Sequence, residues 1–142
     1  MSTISANKAR TIIRKAMECG KEHELNPLTV VVLDAGGHVI VAERSDGAAP
    51  GRFAIAHGKA YGAVMLGMGG QAQMARAEQQ AYFVNAANGA LGGQMIPVPG
   101  GVLIHDKKGT IIGSVGISGD ASDKDELAAV TGIEAAGLIA KA

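Results

Sequence analysis

Three glycines recur at every third position within an apolar stretch near the end of the chain. Gly113, Gly116 and Gly119 lie in the sequence IIGSVGISG, whose β-branched residues are typical of a strand. Since alternate residues of a strand face opposite sides, Ser114, Gly116 and Ser118 share a face that carries only small side chains. Glycine in a strand often marks the close approach of another backbone or of a ligand. The sequence therefore predicts that either a helix or a flat ligand lies flush against this face.

The glycine spacing argues against the two common phosphate-binding loops. A Walker-type loop needs its glycines followed by Lys-Ser or Lys-Thr at the start of a helix, and a dinucleotide site needs G-x-G-x-x-G between a strand and a helix. No stretch of the chain fits either pattern. The neighbouring Gly100 and Gly101 precede the partner strand, where their backbone N–H groups could bind an anion such as a carboxylate.

Length and composition favour one globular domain over residues 1–142. The 13 basic and 13 acidic residues give no net charge, which argues against a nucleic-acid-binding protein. The chain lacks both a signal-peptide core and an apolar run long enough to span a membrane, so we expect a soluble cytoplasmic protein. Many glycines, few aromatic residues and zero net charge together favour a homo-oligomer.

The apolar periodicity predicts helices on either side of two β-hairpins. The order is helix, hairpin, helices, hairpin, helix, which favours an antiparallel sheet with flanking helices. A capping box at Ser122 and Asp125 would start the last helix, which then continues to the terminus. The predicted helices cover residues 5–25, 52–67, 71–89 and 122 onwards, and the predicted strands cover 28–34, 38–46, 102–105 and 110–118.

Several motifs in the right order resemble the haem-binding and haem-degrading protein family. They are the R-x-D-G-A segment at 44–48, the Lys59-Ala60 pair, and G-G-V followed by I-G-x-x-G-I-S-G. The resemblance extends from about residue 9 to residue 137. Members of this family include a small protein of glycolate-utilisation operons, a secreted haem-binding partner of a bacterial sensor kinase, and the C-terminal domain of one class of corrinoid adenosyltransferase.

The resemblance implies an α+β fold, a profilin-like three-layer α/β/α sandwich with a five-stranded antiparallel sheet. The fifth strand would then be Gln94–Val98. It also implies haem as ligand and a homo-oligomer, often an octamer. The chain departs from the family pattern at Ser45, where methionine is usual, and at Leu103, where proline is usual. A Pro-Thr pair that commonly follows the middle helix is missing.

His57 is the leading candidate for chemistry, because it lies close to two cations in the sequence. A neutral imidazole can bind haem iron, and Arg52 or Lys59 could pair with a propionate or with the carboxylate of a small acid. His23, near the end of the first helix, is the second candidate haem ligand. The four histidines lack the i, i+4 spacing of a helical metal site and no thiol cluster accompanies them, so no metal site is predicted.

The remaining charged candidates lie near the ends of the predicted elements. Arg44 and Asp46 could form a ligand-anchoring arginine oriented by an acid, or simply an ion pair that orders the loop. Asp120, Asp125 and Glu126 cluster at the start of the last helix, where carboxylates favour the helix dipole and capping.

Three functions follow from these features. The first is a binding protein for haem or a related tetrapyrrole, accessory to a catabolic or redox-response pathway, with its pocket between the helix of His57 and the glycine-rich strands. The second is an enzyme that acts on a small carboxylic acid, with His57 as general base and Arg52 or Lys59 as anchor. The third is an assembly partner that binds no small ligand.

Overall fold

The structure, a computed structural model, describes residues 3–142 and has a five-stranded antiparallel sheet with helices on both faces. The strand order is β2-β1-β4-β3-β5, and the predicted α+β sandwich is confirmed. In chain order the elements are α1 Ala6–Glu22, β1 Thr29–Asp34, β2 Val39–Arg44, α2 Arg52–Leu66, α3 Gly70–Gln79, α4 Ala81–Ala90, β3 Gly101–His105, β4 Ile111–Ser118, α5 Ser122–Ala135 and β5 Ile139–Lys141.

Alternate residues of the central strands face two different cores. Val30 and Val32 of β1 join the larger core, which lies beneath α1 and α5. Val31 and Leu33 face the other way and pack against Ala56 and other residues of α2. The central strand β1 is thus buried on both faces, which explains why its sequence is apolar without alternation.

Helix α2 lies directly on the small-residue face of β4. A Cβ atom at Gly116 would collide with the carbonyl oxygen of Ala56 and would lie 2.8 Å from the amide nitrogen of Ala60. The buried Ser114 hydroxyl donates a hydrogen bond to the Ala60 carbonyl at 2.8 Å. The prediction of a close-packed helix is confirmed. The alternatives of a flat ligand on this face, or of a pocket between α2 and these strands, are wrong because the helix occupies that space.

Both predicted hairpins are present, and an aspartate side chain orders each turn. The Asp34 carboxylate accepts hydrogen bonds from the N–H groups of Gly36 and His38 at 2.9 and 3.0 Å. Asp106 plays the same role in the second turn, where its Oδ1 accepts bonds from Lys108 and Thr110 at 2.9 Å each. Such Asx turns hold the reversing backbone through local side-chain bonds.

The fifth strand is β5, and its expected position at Gln94–Val98 is wrong. Instead of joining the sheet, that segment crosses α2, where the Ile96 N–H donates to the Gly58 carbonyl at 3.1 Å. Pro97 and Pro99 also lack the N–H groups that a sheet needs. The C-terminal Ile139–Lys141 pairs with β3 and forms that edge of the sheet.

The last helix ends earlier than predicted and begins without the predicted capping box. Gly137 adopts a positive φ of 80°, and the Leu138 N–H bonds back to the Ile133 carbonyl, which stops the helix. Ala121 is the N-cap residue and provides no side-chain bond. Asp125 is buried and holds other partners, so the expected cap between Ser122 and Asp125 is wrong.

The middle helical region is divided into two helices. Gln80 leaves the helical conformation, with φ −140° and ψ 63°, and separates α3 from α4. Among the helices and strands of residues 3–142, α4 packs only against α3. Within the same residues, no helix has the length and apolar character needed to cross a membrane.

Candidate functional site

His57 lies in a row of aromatic rings on the outer side of α2. Phe53 precedes it by one turn, with ring centroids 6.0 Å apart, and Tyr61 follows, stacked at 5.7 Å. The i, i+4 spacing of the three residues places them on one face of the helix. Within residues 3–142, neither ring nitrogen of His57 has a hydrogen-bond partner. The imidazole is therefore available to a ligand.

An open groove of about 490 Å³ adjoins His57. Its walls are mainly apolar and come from Val39 at the start of β2, from α2, and from the segment 93–96 that crosses the helix. Phe53 and Val39 are 43 % and 47 % exposed, which is high for large apolar side chains. We refer to this feature, lined by 39, 53–55, 57, 93–94 and 96, as the His57 groove.

The groove has the chemical character that one face of a haem group requires. An unengaged imidazole can bind iron, and Phe53, Ile55 and Ile96 can cover an apolar macrocycle. The groove lining contains neither lysine nor arginine. The groove walls would therefore offer the propionates of a haem no cationic partner.

Lys59, a predicted carboxylate anchor, lies on the opposite side of α2 and is only 3 % exposed. Its ammonium donates hydrogen bonds to the Ile117 carbonyl at 2.9 Å and to the Asp125 carboxylate at 3.0 Å. Burial raises the pKa of Asp125, and this effect outweighs the hydrogen bond from the Asp120 N–H and the charge of Lys59. Asp125 lies in the first turn of α5, as expected, and it also serves as the buried partner of Lys59.

Arg52 extends towards the sheet at the beginning of α2. Its Nη1 donates a hydrogen bond to the buried Ser118 hydroxyl at 3.1 Å. The side chains of the three candidates therefore have different surroundings. His57 faces the groove, Arg52 binds Ser118, and Lys59 binds Asp125. The structure does not bring together the general base and the carboxylate anchors of the predicted enzyme.

Gly100 and Gly101 are packed against α2. A Cβ atom at Gly101 would collide with the Lys59 carbonyl, and one at Gly100 would lie 2.9 Å from the Lys59 Nζ. Both glycines are buried, and the Gly100 carbonyl accepts a hydrogen bond from the Ile117 N–H. Their closeness to α2 explains the glycine pair, and an anion could reach them only if the helix moved.

Arg44 and Asp46 are exposed at the end of β2. Both residues lie within the described part of the chain, and they do not form the expected salt bridge with each other. Both line a different cavity, between α1 and β2, on the other face of the sheet. They are thus separated from His57.

His23 caps the C-terminal end of α1 and is exposed. Its Nδ1 lies 3.0 Å from the Cys19 carbonyl oxygen and 3.7 Å from the buried Cys19 thiol. Because a carbonyl can only accept, Nδ1 carries the proton and Nε2 is left free to bind a metal. His23 therefore has the tautomer of a metal ligand but lies on an exposed helix end.

Two features of the site were missed from the sequence. The aromatic row could have been recognised, because Phe53, His57 and Tyr61 follow the helical i, i+4 spacing. The pairing of Lys59 with Asp125 could not, since 66 residues separate them and an acidic residue in the first turn of a helix is ordinary. Burial also raises the pKa of Glu126, the next residue of α5.

Residues 4–134 match the family of HbpS-like haem-degrading proteins. The chain belongs to this family. Its resemblance to the haem-binding and haem-degrading proteins is thereby confirmed over nearly the whole sequence. No curated protein sequence matches the chain.

Several solved structures superpose closely on this chain. The crystal structure of PduOC in complex with haem is 25% identical, with a TM-score of 0.86 over 96% of this chain and 97% of the other. HbpS itself is 26% identical, with a TM-score of 0.79 over 93% and 89% of the two chains. ORFY of Klebsiella pneumoniae is 24% identical, with a TM-score of 0.84 over 96% and 92%, and supports the fold alone.

Proposed function

We propose that this protein binds haem or a related tetrapyrrole in the His57 groove, with His57 as the iron ligand. The observation that carries the proposal is an imidazole with no hydrogen-bond partner among residues 3–142, flanked by Phe53 and Tyr61 at an open apolar groove. The family match and the haem complex of PduOC support haem as the ligand.

The surroundings of the two histidines favour His57 over His23 as the iron ligand. Apolar walls around His57 would remove one face of a macrocycle from water, and burial of apolar area contributes about 25 cal/mol per Å². His23 offers a free Nε2 but lies on an exposed helix end. An iron bond there would have to hold the haem with much less help from apolar contacts.

We further propose that the protein acts as a cytoplasmic homo-oligomer and as an accessory to a catabolic or redox-response pathway. The neighbouring exposed aromatic side chains Tyr82 and Phe83 of α4 support the homo-oligomer, because exposed apolar patches mark interaction sites. An octamer is the assembly that the family resemblance implies.

A haemin titration followed at the Soret band tests the proposed ligand and its residue together. The wild-type protein should shift the band and saturate at one haem per chain, whereas His57→Ala should abolish the shift or weaken binding at least tenfold. His23→Ala is the matched control and should bind as the wild type does. A shift that His57→Ala leaves unchanged would show that the iron ligand lies elsewhere.

A further inference from the structure

Two buried hydroxyl groups lie side by side beneath the beginning of α2. Thr29 of β1 and Ser118 of β4 are opposite each other in the antiparallel sheet, and both side chains are almost completely buried. Opposite residues of neighbouring antiparallel strands point to the same face of the sheet. The hydroxyl of Ser118 accepts a hydrogen bond from Arg52 of α2, so both hydroxyls lie on the face that α2 covers.

The Thr29 hydroxyl is 1 % exposed and has no hydrogen-bond partner within residues 3–142. Buried hydroxyl groups are almost always hydrogen-bonded, so one without a partner in the chain points to a bound water or ion. The neighbouring Ser118 hydroxyl accepts its bond from Arg52, and within the same residues its proton has no acceptor. The two hydroxyls therefore offer two O–H donors to a common acceptor.

The guanidinium of Arg52 adds a positive charge beside the hydroxyls. Its Nη1 lies 3.1 Å from the Ser118 oxygen, the side chain is half-buried, and no carboxylate of residues 3–142 forms an ion pair with it. Arg52 is the first residue of α2, whose N-cap residue Gly51 provides no side-chain bond and whose first turn has no acidic residue. The positive end of the helix dipole is thus also uncompensated, and an anion is favoured here.

The acidic residues of the neighbouring segments do not neutralise Arg52. Asp120 accepts two backbone hydrogen bonds, and Asp125 is already paired with a lysine. Arg44 and Asp46, at the end of β2, are equal and opposite in charge, and both line the cavity beside α1. Arg52 therefore keeps one unit of positive charge without a counter-charge.

We propose that Arg52, Ser118 and Thr29 form a binding site for the carboxylate group of a small organic acid. One carboxylate oxygen would accept a hydrogen bond from the guanidinium, and the other would accept bonds from the two hydroxyls. The single charge of a carboxylate equals that of the unpaired arginine. A phosphate dianion would bring a second negative charge that no further cation of the site would balance.

The enclosed hydroxyls limit the size of the acid. Because Thr29 and Ser118 are buried, the oxygen that they bind must be enclosed as well, whereas the half-buried Arg52 connects the site with the surface. We therefore expect formate or acetate to bind better than a branched acid. The site does not depend on the proposed haem groove, whose lining does not include Arg52.

An NMR titration with acetate tests the site. The amide resonance of Ser118 in the wild-type protein should shift and saturate with a millimolar dissociation constant, as expected for so small a ligand. Phosphate should bind at least about fivefold more weakly, because its second charge is not balanced. Pivalate, a branched acid, should leave the resonance unchanged.

Thr29→Val removes the hydroxyl at nearly constant volume. The variant should bind acetate about tenfold more weakly, because a hydrogen bond to a charged group is lost. Without acetate, its melting temperature should equal or exceed that of the wild type, since the hydroxyl that is removed has no partner in the chain. A purely structural role of Thr29 would not give this combination.

Arg52→Gln should abolish acetate binding. Arg14→Gln is the matched control, because the exposed Arg14 lies on α1 at the other face of the sheet, and this variant should bind acetate as the wild type does. Thermal melting establishes that both variants are folded.

Equal acetate binding to Thr29→Val and the wild type would overturn the proposal and leave the hydroxyl to a buried water. An equal loss of affinity in Arg52→Gln and Arg14→Gln, phosphate binding as well as acetate, or no acetate binding at millimolar concentration would overturn it too. His57→Ala should bind acetate as the wild type does. A failure of haem binding and a failure of acetate binding are thus separate results.

Discussion

At the scale of single residues, the buried Lys59 ammonium joins three elements of the fold through hydrogen bonds. Lys59 belongs to α2, and its two partners are the Ile117 carbonyl of β4 and the Asp125 carboxylate of α5. Asp125 in turn accepts a hydrogen bond from the Asp120 N–H at 3.0 Å. Burying such a pair removes both charged groups from water, which costs free energy. Removing one of the two groups therefore leaves the other buried without a counter-charge.

We predict that Asp125→Ala lowers the free energy of unfolding by about 3–5 kcal/mol, because the Lys59 ammonium is then buried without its counter-charge. Urea denaturation measures the effect. The double variant Lys59→Met/Asp125→Leu removes both charges and should be more stable than the single variant. A cost below about 1 kcal/mol for Asp125→Ala would show that water or a rotated side chain replaces the carboxylate.

Asp120 should make the stability of the protein depend on acid pH. The hydrogen bond from the Asn26 N–H, at 2.8 Å, is the main cause that lowers the pKa of Asp120 below its ordinary value of 3.8. A carboxyl group with a lowered pKa in the folded state stabilises the protein above 3.8, and that contribution is lost as the pH falls through the lowered value.

The melting temperature of Asp120→Asn should accordingly be below that of the wild type at pH 7, and the difference should shrink as the pH falls below 3.8. Thermal melting of both proteins across this range measures it. A difference that stays constant down to pH 2 would mean that the Asp120 charge does not contribute to stability.

At the scale of secondary-structure elements, the close packing of α2 on β4 can be tested by substitution. We predict that Gly116→Ala destabilises the protein by about 1–3 kcal/mol or more, because the new methyl group would collide with backbone atoms of α2. Chemical denaturation provides the measurement. Gly51→Ala is the control and should be nearly neutral. Apart from its chain neighbours, none of residues 3–142 has an atom within 4 Å of its Cβ position, and its φ of −71° suits alanine. Equal effects in the two variants would contradict the close packing.

The elements that the sequence predicted well are those whose local pattern matches their environment. The strands around Val30 and Val115 have β-branched runs between turn residues, and α1 has one apolar face. These patterns predict the two strands and the helix from the sequence. β5 was not, because Ile139–Lys141 is too short to show alternation and continues a helical pattern. Its strand conformation follows from Gly137 and from the free edge of β3, which only the assembled sheet provides.

The helical pair α3–α4 leaves much of its surface uncovered at the scale of the whole molecule. Tyr82 is 73 % exposed, and Phe83, beneath the Arg76 guanidinium at 4.3 Å, is 37 % exposed. Val84 is the buried residue of α4, a ten-residue helix, and helices of this length are marginal without packing. In the proposed homo-oligomer, a second copy of the chain would cover this surface.

We predict that Tyr82→Asp reduces the assembly size measured by light scattering after size-exclusion chromatography, because the new charge would have to be buried in the interface. Leu127→Asp is the matched control: Leu127 is also exposed, at 42 %, but lies on α5 at the other face of the sheet. It should leave the assembly unchanged. A monomeric wild-type protein would contradict the proposed homo-oligomer.

Only part of the candidate site could be predicted from the sequence. His57 was identified from its sequence neighbours, yet those neighbours, Arg52 and Lys59, point away from it in the fold. Helical geometry explains the difference, since residues two and five positions away from His57 lie on other sides of the helix. The groove wall formed by Gln94 and Ile96 comes from a distant segment and could not be assigned to the site from the sequence.

A crystal structure of the protein with haem bound would show directly which side chain binds the iron. We predict that the imidazole of His57 binds the iron and that the macrocycle lies in the His57 groove. Iron bound to His23, with the His57 groove empty, would rule out the proposed site.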